Sequence, residues 1–235
     1  MRKFTKREIA ALTYAVLAAV GAYQYCADVI NGFTAPTPLT WILLFIAVCL
    51  GLWTYMRAGK STHNFVTNVG NAVDVLVVGV ILCVILIYRG NVLLIEFNQF
   101  DILCGIIAAF IVAYYCVTRN ADYANLAVNG LLALGYVPTY FRLLTSESNP
   151  ESVTTWIVFW MAIWFAVYAS NDGKDFLAKV YAYRALVLVS IVLVLIARLE
   201  LRCSCACTTG CPIRTTAPSC GTDDVFCDRV SEDIL

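Results

Sequence analysis

The sequence predicts an all-α integral membrane protein with seven transmembrane helices, and two observations support this prediction. The first is composition: 61% of the 235 residues are hydrophobic and 14% are charged, with a mean hydropathy of +0.78, which is too apolar for a soluble domain of this length. The second is pattern, because polar breaks separate several runs of about 20 apolar residues, the length that crosses a bilayer. Any function is therefore expected within the helices, in their short loops or in the last residues of the chain.

Each predicted helix is an apolar run between charged residues or the helix-breaking residues Pro and Gly. The seven predicted helices cover residues 9–27, 39–56, 65–88, 102–118, 123–141, 153–169 and 176–197. An alternative interpretation makes residues 1–22 a signal peptide, since a basic start precedes an apolar stretch and small residues. Cleavage there would remove part of an internal repeat.

The internal repeat predicts how the helices are grouped. A block from Gly21 through a proline-bearing loop to Thr40-Trp41 is echoed from Gly135 to Thr155-Trp156. The echo predicts two triple-helix repeats, residues 9–88 and 123–197, which a linker helix within 89–122 places parallel to each other in a 3+1+3 arrangement. Residues 1–8 precede the first repeat and residues 198–235 form a tail. Two parallel repeats around a shared site are a known plan of transporters.

One segment carries a resemblance to a known family. Gly135-Tyr-Val-Pro138-Thr139 has a proline inside the first helix of a repeat, and a short polar loop runs from Arg142 to Pro150. Together with the length and the 3+1+3 plan, these features resemble the PQ-loop membrane proteins, especially the SWEET sugar transporters, most clearly over residues 125–168. The resemblance implies a carrier that moves a small polar solute such as a sugar by alternating access, with Pro138 and Thr139 at a hinge.

The distribution of Lys and Arg predicts a cytoplasmic N terminus, because cytoplasmic loops are enriched in these residues. Seven spans place the two ends of the bundle on opposite sides of the membrane, so the tail is expected to be extracellular or lumenal. The side of the N terminus carries Arg2, Lys3, Lys6, Arg7, Arg57, Lys60, Arg119, Lys174 and Lys179, against Arg89 and Arg142 in the opposite loops. Arg198 and Arg202 weaken this contrast, and the family resemblance implies the reverse orientation.

Polar side chains inside apolar helices are costly in lipid and indicate where a site lies. Asn68, Asn71 and Asp74 recur at i, i+3 and i+6, which places them on one face of the third predicted helix. Arg184 has a similar depth in the seventh, which predicts an ion pair with Asp74. The predicted substrate-binding residues of a carrier are Asn68, Asn71, Asp74, Asn125, Asn129, Trp160 and Arg184. The alternative is structural: the ion pair, the asparagines and the tryptophan only hold the helices together.

No cofactor, metal or catalytic site is predicted. Asp175-Phe-Leu-Ala-Lys179 is similar to the retinal-binding helix of microbial rhodopsins, but the polar residues just before it place Lys179 near the aqueous boundary. The sequence contains no catalytic triad and no metal-binding carboxylate cluster, and no zinc-type spacing includes its single histidine, His63, so an enzyme is not expected. The net charge is zero and there is no basic run, so nucleic acid is not an expected partner. The expected partners are the lipid bilayer and a small polar solute, and the sequence leaves a homo-oligomer open.

The tail is rich in cysteine, with Cys203, Cys205, Cys207, Cys211, Cys220 and Cys227. An even number of cysteines in a polar tail predicts disulfide bonds on the oxidising side of the membrane. On the cytoplasmic side, palmitoylation or metal binding would be the alternatives. The tail also supports a second functional hypothesis: a non-transporting membrane scaffold or receptor whose disulfide-bonded tail binds a partner.

Overall fold

The computed structural model describes residues 5–34, 36, 38–58, 66–88, 99–146, 149, 151–171 and 175–208. These residues form eight α-helices without strands. Their bounds are α1 Lys6–Ile30, α2 Pro38–Arg57, α3 Val69–Tyr88, α4 Gln99–Thr118, α5 Ala121–Leu134, α6 Val137–Thr145, α7 Val153–Ser170 and α8 Phe176–Thr208. The prediction of an all-helical chain is confirmed for the part that the structure describes.

Local sequence explains where several helices begin. Thr5 caps α1 in a reciprocal pair: its Oγ1 accepts from the Glu8 backbone N–H at 3.2 Å, and Glu8 accepts from the Thr5 N–H at 2.8 Å. The Asn120 side chain accepts from the Tyr123 N–H and caps α5. Pro38 is the first residue of α2, one residue before the predicted start at 39, and its missing N–H costs nothing there.

The two largest differences from the predicted helices are a break within one helix and an extension of another. The expected single helix over residues 123–141 is broken at Gly135 and Tyr136, and Pro138 lies in the first turn of α6. A proline there cannot donate to the carbonyl of Leu134, so the regular hydrogen-bond ladder is interrupted. The last helix continues to Thr208 instead of ending near residue 197, because Gly210 and Pro212 are the first residues after it that oppose a helix.

The outer faces of the helices are apolar. Leu76 is 70% exposed, Phe110 71% and Val117 84%, an exterior that suits lipid. Among the described residues, four helical stretches are long and apolar enough to cross a membrane, namely Lys6–Ile30, Val69–Tyr88, Val153–Ser170 and Phe176–Leu201. Trp41–Arg57 and Ile102–Thr118 are apolar but shorter. The fold is therefore compatible with a multi-pass membrane protein.

The helices up to Glu200 form one compact unit, and residues 201–208 belong to a second. Within the first unit, α1 packs along α7 and α3, while α2 packs along α3 and α5. Glycines permit two of these approaches: a Cβ at Gly21 would lie 2.8 Å from Phe159 Cε1, and a Cβ at Gly135 would lie 2.8 Å from Leu44 Cδ2. We call the end of this unit where α1 begins the N-terminal end, and the other the opposite end.

Candidate functional site: a cavity within the helical unit

A cavity of about 170 Å³ lies inside the first unit. Its wall comes from α1, α2, α3, α5, α6, α7 and α8, so both predicted repeats contribute to it. Most of the wall is aliphatic or aromatic, and the acidic and basic side chains among its described residues are Asp74, Arg142, Glu151 and Arg184. The polar groups are therefore few, which is typical of a cavity that orients a small molecule.

Asp74 is held by two tyrosines from neighbouring helices. Tyr14 of α1 donates its hydroxyl to Asp74 Oδ1 at 2.6 Å, and Tyr181 of α8 donates to Oδ2 at 2.7 Å. Asp74 lies one and a half turns into α3, about 8 Å from its start at 1.5 Å per residue. The three side chains join α1, α3 and α8 toward the N-terminal end of the cavity.

Arg184 contacts the same cluster in a different way from the one predicted. Its guanidinium carbon lies 4.4 Å from the centroid of the Tyr181 ring, a cation–π contact. The expected direct ion pair between Arg184 and Asp74 is not formed within the described part of the chain. This prediction was wrong: Asp74 accepts from the Tyr14 and Tyr181 hydroxyls, and Arg184 contacts the Tyr181 ring. The Nε and Nη1 atoms of Arg184 are shielded from solvent and have no hydrogen-bond partner.

A second charged group lies toward the opposite end of the cavity. Arg142 of α6 forms an ion pair with Glu151, just before α7. The Glu151 side chain is only 2% exposed, and it also accepts from the indole N–H of Trp156 at 3.2 Å. This group links α6 to α7 next to the hinge residues predicted at Pro138 and Thr139, which both line the cavity.

The predicted asparagines lie apart from the cavity wall. Asn125 Nδ2 donates to the Gly51 carbonyl at 2.8 Å and to Thr54 Oγ1 at 3.0 Å. Asn129 Nδ2 donates back to the Asn125 carbonyl at 3.0 Å. The Asn71 amide lies against Gly51, and Asn68 is also buried. We call Gly51, Thr54, Asn71, Asn125 and Asn129 the asparagine cluster; it joins α2, α3 and α5 on the N-terminal side of the cavity.

Trp160, which was predicted to bind substrate, and Asp175, from the retinal-like segment, both have structural contacts. The indole N–H of Trp160 donates to Ser190 Oγ at 3.0 Å, which joins α7 to α8 outside the cavity wall. Asp175 caps α8 by accepting from the Ala178 N–H at 3.2 Å, and it accepts a hydrogen bond from the Tyr55 hydroxyl of α2. Asp175 therefore closes a contact between α2 and α8 at the N-terminal end.

Sequence reasoning missed Tyr14, Glu151 and Trp156 as parts of the site. Each of these residues has a common structural role in sequence: tyrosine and tryptophan are typical of apolar helices, and the glutamate lies in a polar loop. Glu151 lies nine residues after Arg142. Its burial identifies it as part of the site, but burial of a loop residue cannot be inferred from sequence alone.

The cysteine prediction lies mostly outside the described residues. The backbone of Cys203, Cys205 and Cys207 belongs to α8, while their side chains and all of Cys211, Cys220 and Cys227 lie outside the description. Disulfide bonding of the tail stays a prediction.

Comparison of the chain with protein-family models, curated proteins and solved structures finds no match. The function has to be inferred from the geometry of the chain itself.

Proposed function

We propose that the chain is a multi-pass membrane carrier that moves a small polar solute by alternating access. The observation that carries this proposal is the cavity, which is enclosed by helices of both predicted repeats and carries Asp74 and Arg184 among apolar walls. Charged side chains inside a membrane bundle are expensive, and they mark substrate or ion pathways more often than ordinary packing positions do.

Reciprocal contacts support the 3+1+3 arrangement of two equivalent repeats. In the sequence echo, Gly21 corresponds to Gly135, and Leu44, three residues after Trp41, corresponds to Phe159, three residues after Trp156. Exchanging the repeats turns the Gly21–Phe159 contact into the Gly135–Leu44 contact, and both are present. The same exchange turns the packing of α1 on α7 into that of α5 on α2, which is also present. Two repeats related in this way can rock against each other around a shared cavity.

The cavity wall reaches the loop residues Pro36 and Glu151 at the opposite end, whereas toward the N-terminal end its described residues all belong to helices. It extends from Asp74 toward Arg142 and Glu151 at the opposite end. On the N-terminal side, the asparagine cluster and the Tyr55–Asp175 hydrogen bond close the bundle between helices of different repeats. We infer that a second state exchanges these closures: the N-terminal contacts open, and the helices converge near Arg142. Pro138 and Thr139, beside the break in the helix, provide the hinge.

The charge distribution supports an N-terminal end that faces the cytoplasm and an opposite end that faces the exterior or a lumen. In this orientation the cavity extends away from the cytoplasm. The disulfides proposed for the tail would then lie on the oxidising side.

A binding screen followed by transport tests the proposal. The purified protein is heated with sugars, amino acids and small ions, and a bound solute raises the unfolding temperature by mass action. We expect one solute class to raise it equally for wild type and for the control Asp122→Asn, whose aspartate is exposed on α5, and by a different amount for Asp74→Asn. The same solute should enter proteoliposomes that contain the wild-type chain.

A folded protein that neither binds nor moves any of these solutes would contradict the carrier proposal. The scaffold or receptor hypothesis would then be the stronger one. It predicts that deletion of residues 202–235 removes partner binding while the helical bundle stays folded.

A further inference from the structure

Arg184 is a cationic side chain in the cavity wall whose hydrogen-bonding capacity is largely unused. Its Nε and Nη1 atoms are buried without an acceptor, and its guanidinium lies against the Tyr181 ring. A cation–π contact recovers only part of the solvation that a guanidinium loses on burial. Arg184 would therefore bind an anion that entered the cavity.

The two carboxylates in the described cavity wall are already engaged. Asp74 accepts one tyrosine hydroxyl on each oxygen and makes no ion pair with Arg184. Glu151 is paired with Arg142 and also accepts from Trp156. Neither carboxylate accepts a hydrogen bond from Arg184, so its buried Nε and Nη1 atoms are available to bind an acceptor on a ligand.

We propose that the cavity binds a small solute that carries a carboxylate, and that Arg184 binds this group. The guanidinium is a planar fork whose parallel N–H donors match a carboxylate. The surrounding wall, with Val77, Ile81 and Phe159, suits an apolar body on the same solute. A carboxylate carries one negative charge, which limits repulsion by the nearby Asp74, whereas a phosphate would carry more.

Both simple carboxylic acids and amino acids contain the proposed group. An amino acid would add an ammonium, which Asp74 could accept because a carboxylate has more lone pairs than its two tyrosine bonds use. The inference rests on the proposed function for the role of the cavity as a substrate site, but binding itself does not require transport. It replaces the sugar expected from the family resemblance by a different substrate class.

A matched ligand series on the full-length purified protein tests the inference. Isocaproate, its neutral amide isocaproamide and leucine share one apolar body, and glucose represents the sugars. We expect isocaproate or leucine to bind about tenfold or more tightly than isocaproamide, as a charge-assisted hydrogen bond predicts. Arg184→Gln should remove this preference and Arg184→Lys should keep part of it. Arg198→Gln is the control, because Arg198 lies on the same helix but outside the cavity wall.

The outcomes separate this inference from the carrier proposal. The inference would be overturned if the wild-type protein bound isocaproate and isocaproamide with equal affinity, a measurement that needs no variant to fold. It would also be overturned if the preference for the carboxylate survived Arg184→Gln. Binding of glucose without any carboxylate would overturn it and leave the carrier proposal intact. Binding of carboxylates without uptake into proteoliposomes would uphold the inference and contradict the carrier. A folded protein that binds none of the four would overturn this inference, and the wider solute screen would then decide the carrier proposal.

Discussion

At the scale of single residues, Asp74 illustrates which part of the site the sequence could predict. The i, i+3, i+6 spacing of Asn68, Asn71 and Asp74 predicted that they face the protein interior, and Asn68 and Asn71 are buried. The spacing could not predict the partners, because these depend on which helices are neighbours. A tyrosine inside an apolar helix is typical of packing, so only the packing of α1 beside α3 reveals Tyr14 as a donor to Asp74.

Loss of one tyrosine hydroxyl should destabilise the protein. Tyr14→Phe keeps the ring but leaves Asp74 Oδ1 without its 2.6 Å donor, which we expect to lower the free energy of unfolding by about 1–3 kcal/mol. Chemical unfolding in mixed micelles measures this change. Tyr23→Phe is the control, since Tyr23 is on the same helix and 76% exposed. Equal stability of the two variants would show that the Tyr14 hydroxyl contributes nothing.

At the scale of helices, the sequence predicted positions better than ends. Apolar runs predicted the position of every described helix, with α5 and α6 expected as one, because lipid-facing and buried faces are both apolar and length separates a span from a loop. The break at Gly135–Tyr136 was predicted only as a bend, since a proline can be absorbed by a continuous kinked helix. The extension of α8 to Thr208 was not predicted, because charged residues after Ala197 end the apolar run. Arg and Glu nevertheless favour helices, so the helix itself continues.

Two close helix approaches depend on glycine. We expect Gly21→Ala to lower the free energy of unfolding by about 1–3 kcal/mol, because the added methyl would lie 2.8 Å from Phe159 Cε1. Unfolding in mixed micelles again gives the measurement, and Phe159→Leu in the same chain should restore part of the loss.

Gly130→Ala is the matched control for this contact. A Cβ at Gly130 meets no atom within 4 Å, so alanine should leave stability unchanged or raise it by about 0.5–1 kcal/mol through its better helix propensity. If Gly21→Ala were as well tolerated as Gly130→Ala, the close packing of α1 on α7 would be refuted.

At the scale of the whole molecule, the same sequence features serve both folding and the proposed cycle. Apolar exteriors hold the helices in lipid, and several polar contacts join helices of different predicted repeats: α2 with α5, α2 with α8, and α3 with α8. Composition predicted the first property. The second could not be predicted, because a polar side chain in one repeat does not indicate which helix of the other repeat it meets.

The Tyr55–Asp175 hydrogen bond offers a test of the cycle at this scale. It joins α2 to the start of α8 at the N-terminal end, so its loss should favour the state that is open there. We expect Tyr55→Phe to increase the labelling of a cavity cysteine by a water-soluble thiol reagent added from the N-terminal side. The increase should be about fivefold if the hydrogen bond is worth about 1 kcal/mol. The reporter is Ala185→Cys in the cavity wall, in a chain whose eleven native cysteines are replaced by alanine.

Sidedness decides what the labelling means. Without the Tyr55 change, the reporter should react mainly from the opposite side, toward which the cavity extends. Tyr168 is an exposed tyrosine in the last turn of α7, which lies toward the N-terminal end of the unit. Tyr168→Phe should leave this pattern unchanged. Alternating access requires labelling to increase from the N-terminal side and to decrease from the opposite side. A larger population of one open state leaves a smaller population of the other. A gain on both sides would instead indicate a loosened bundle, and the closure between α2 and α8 would then be a structural contact without a role in gating.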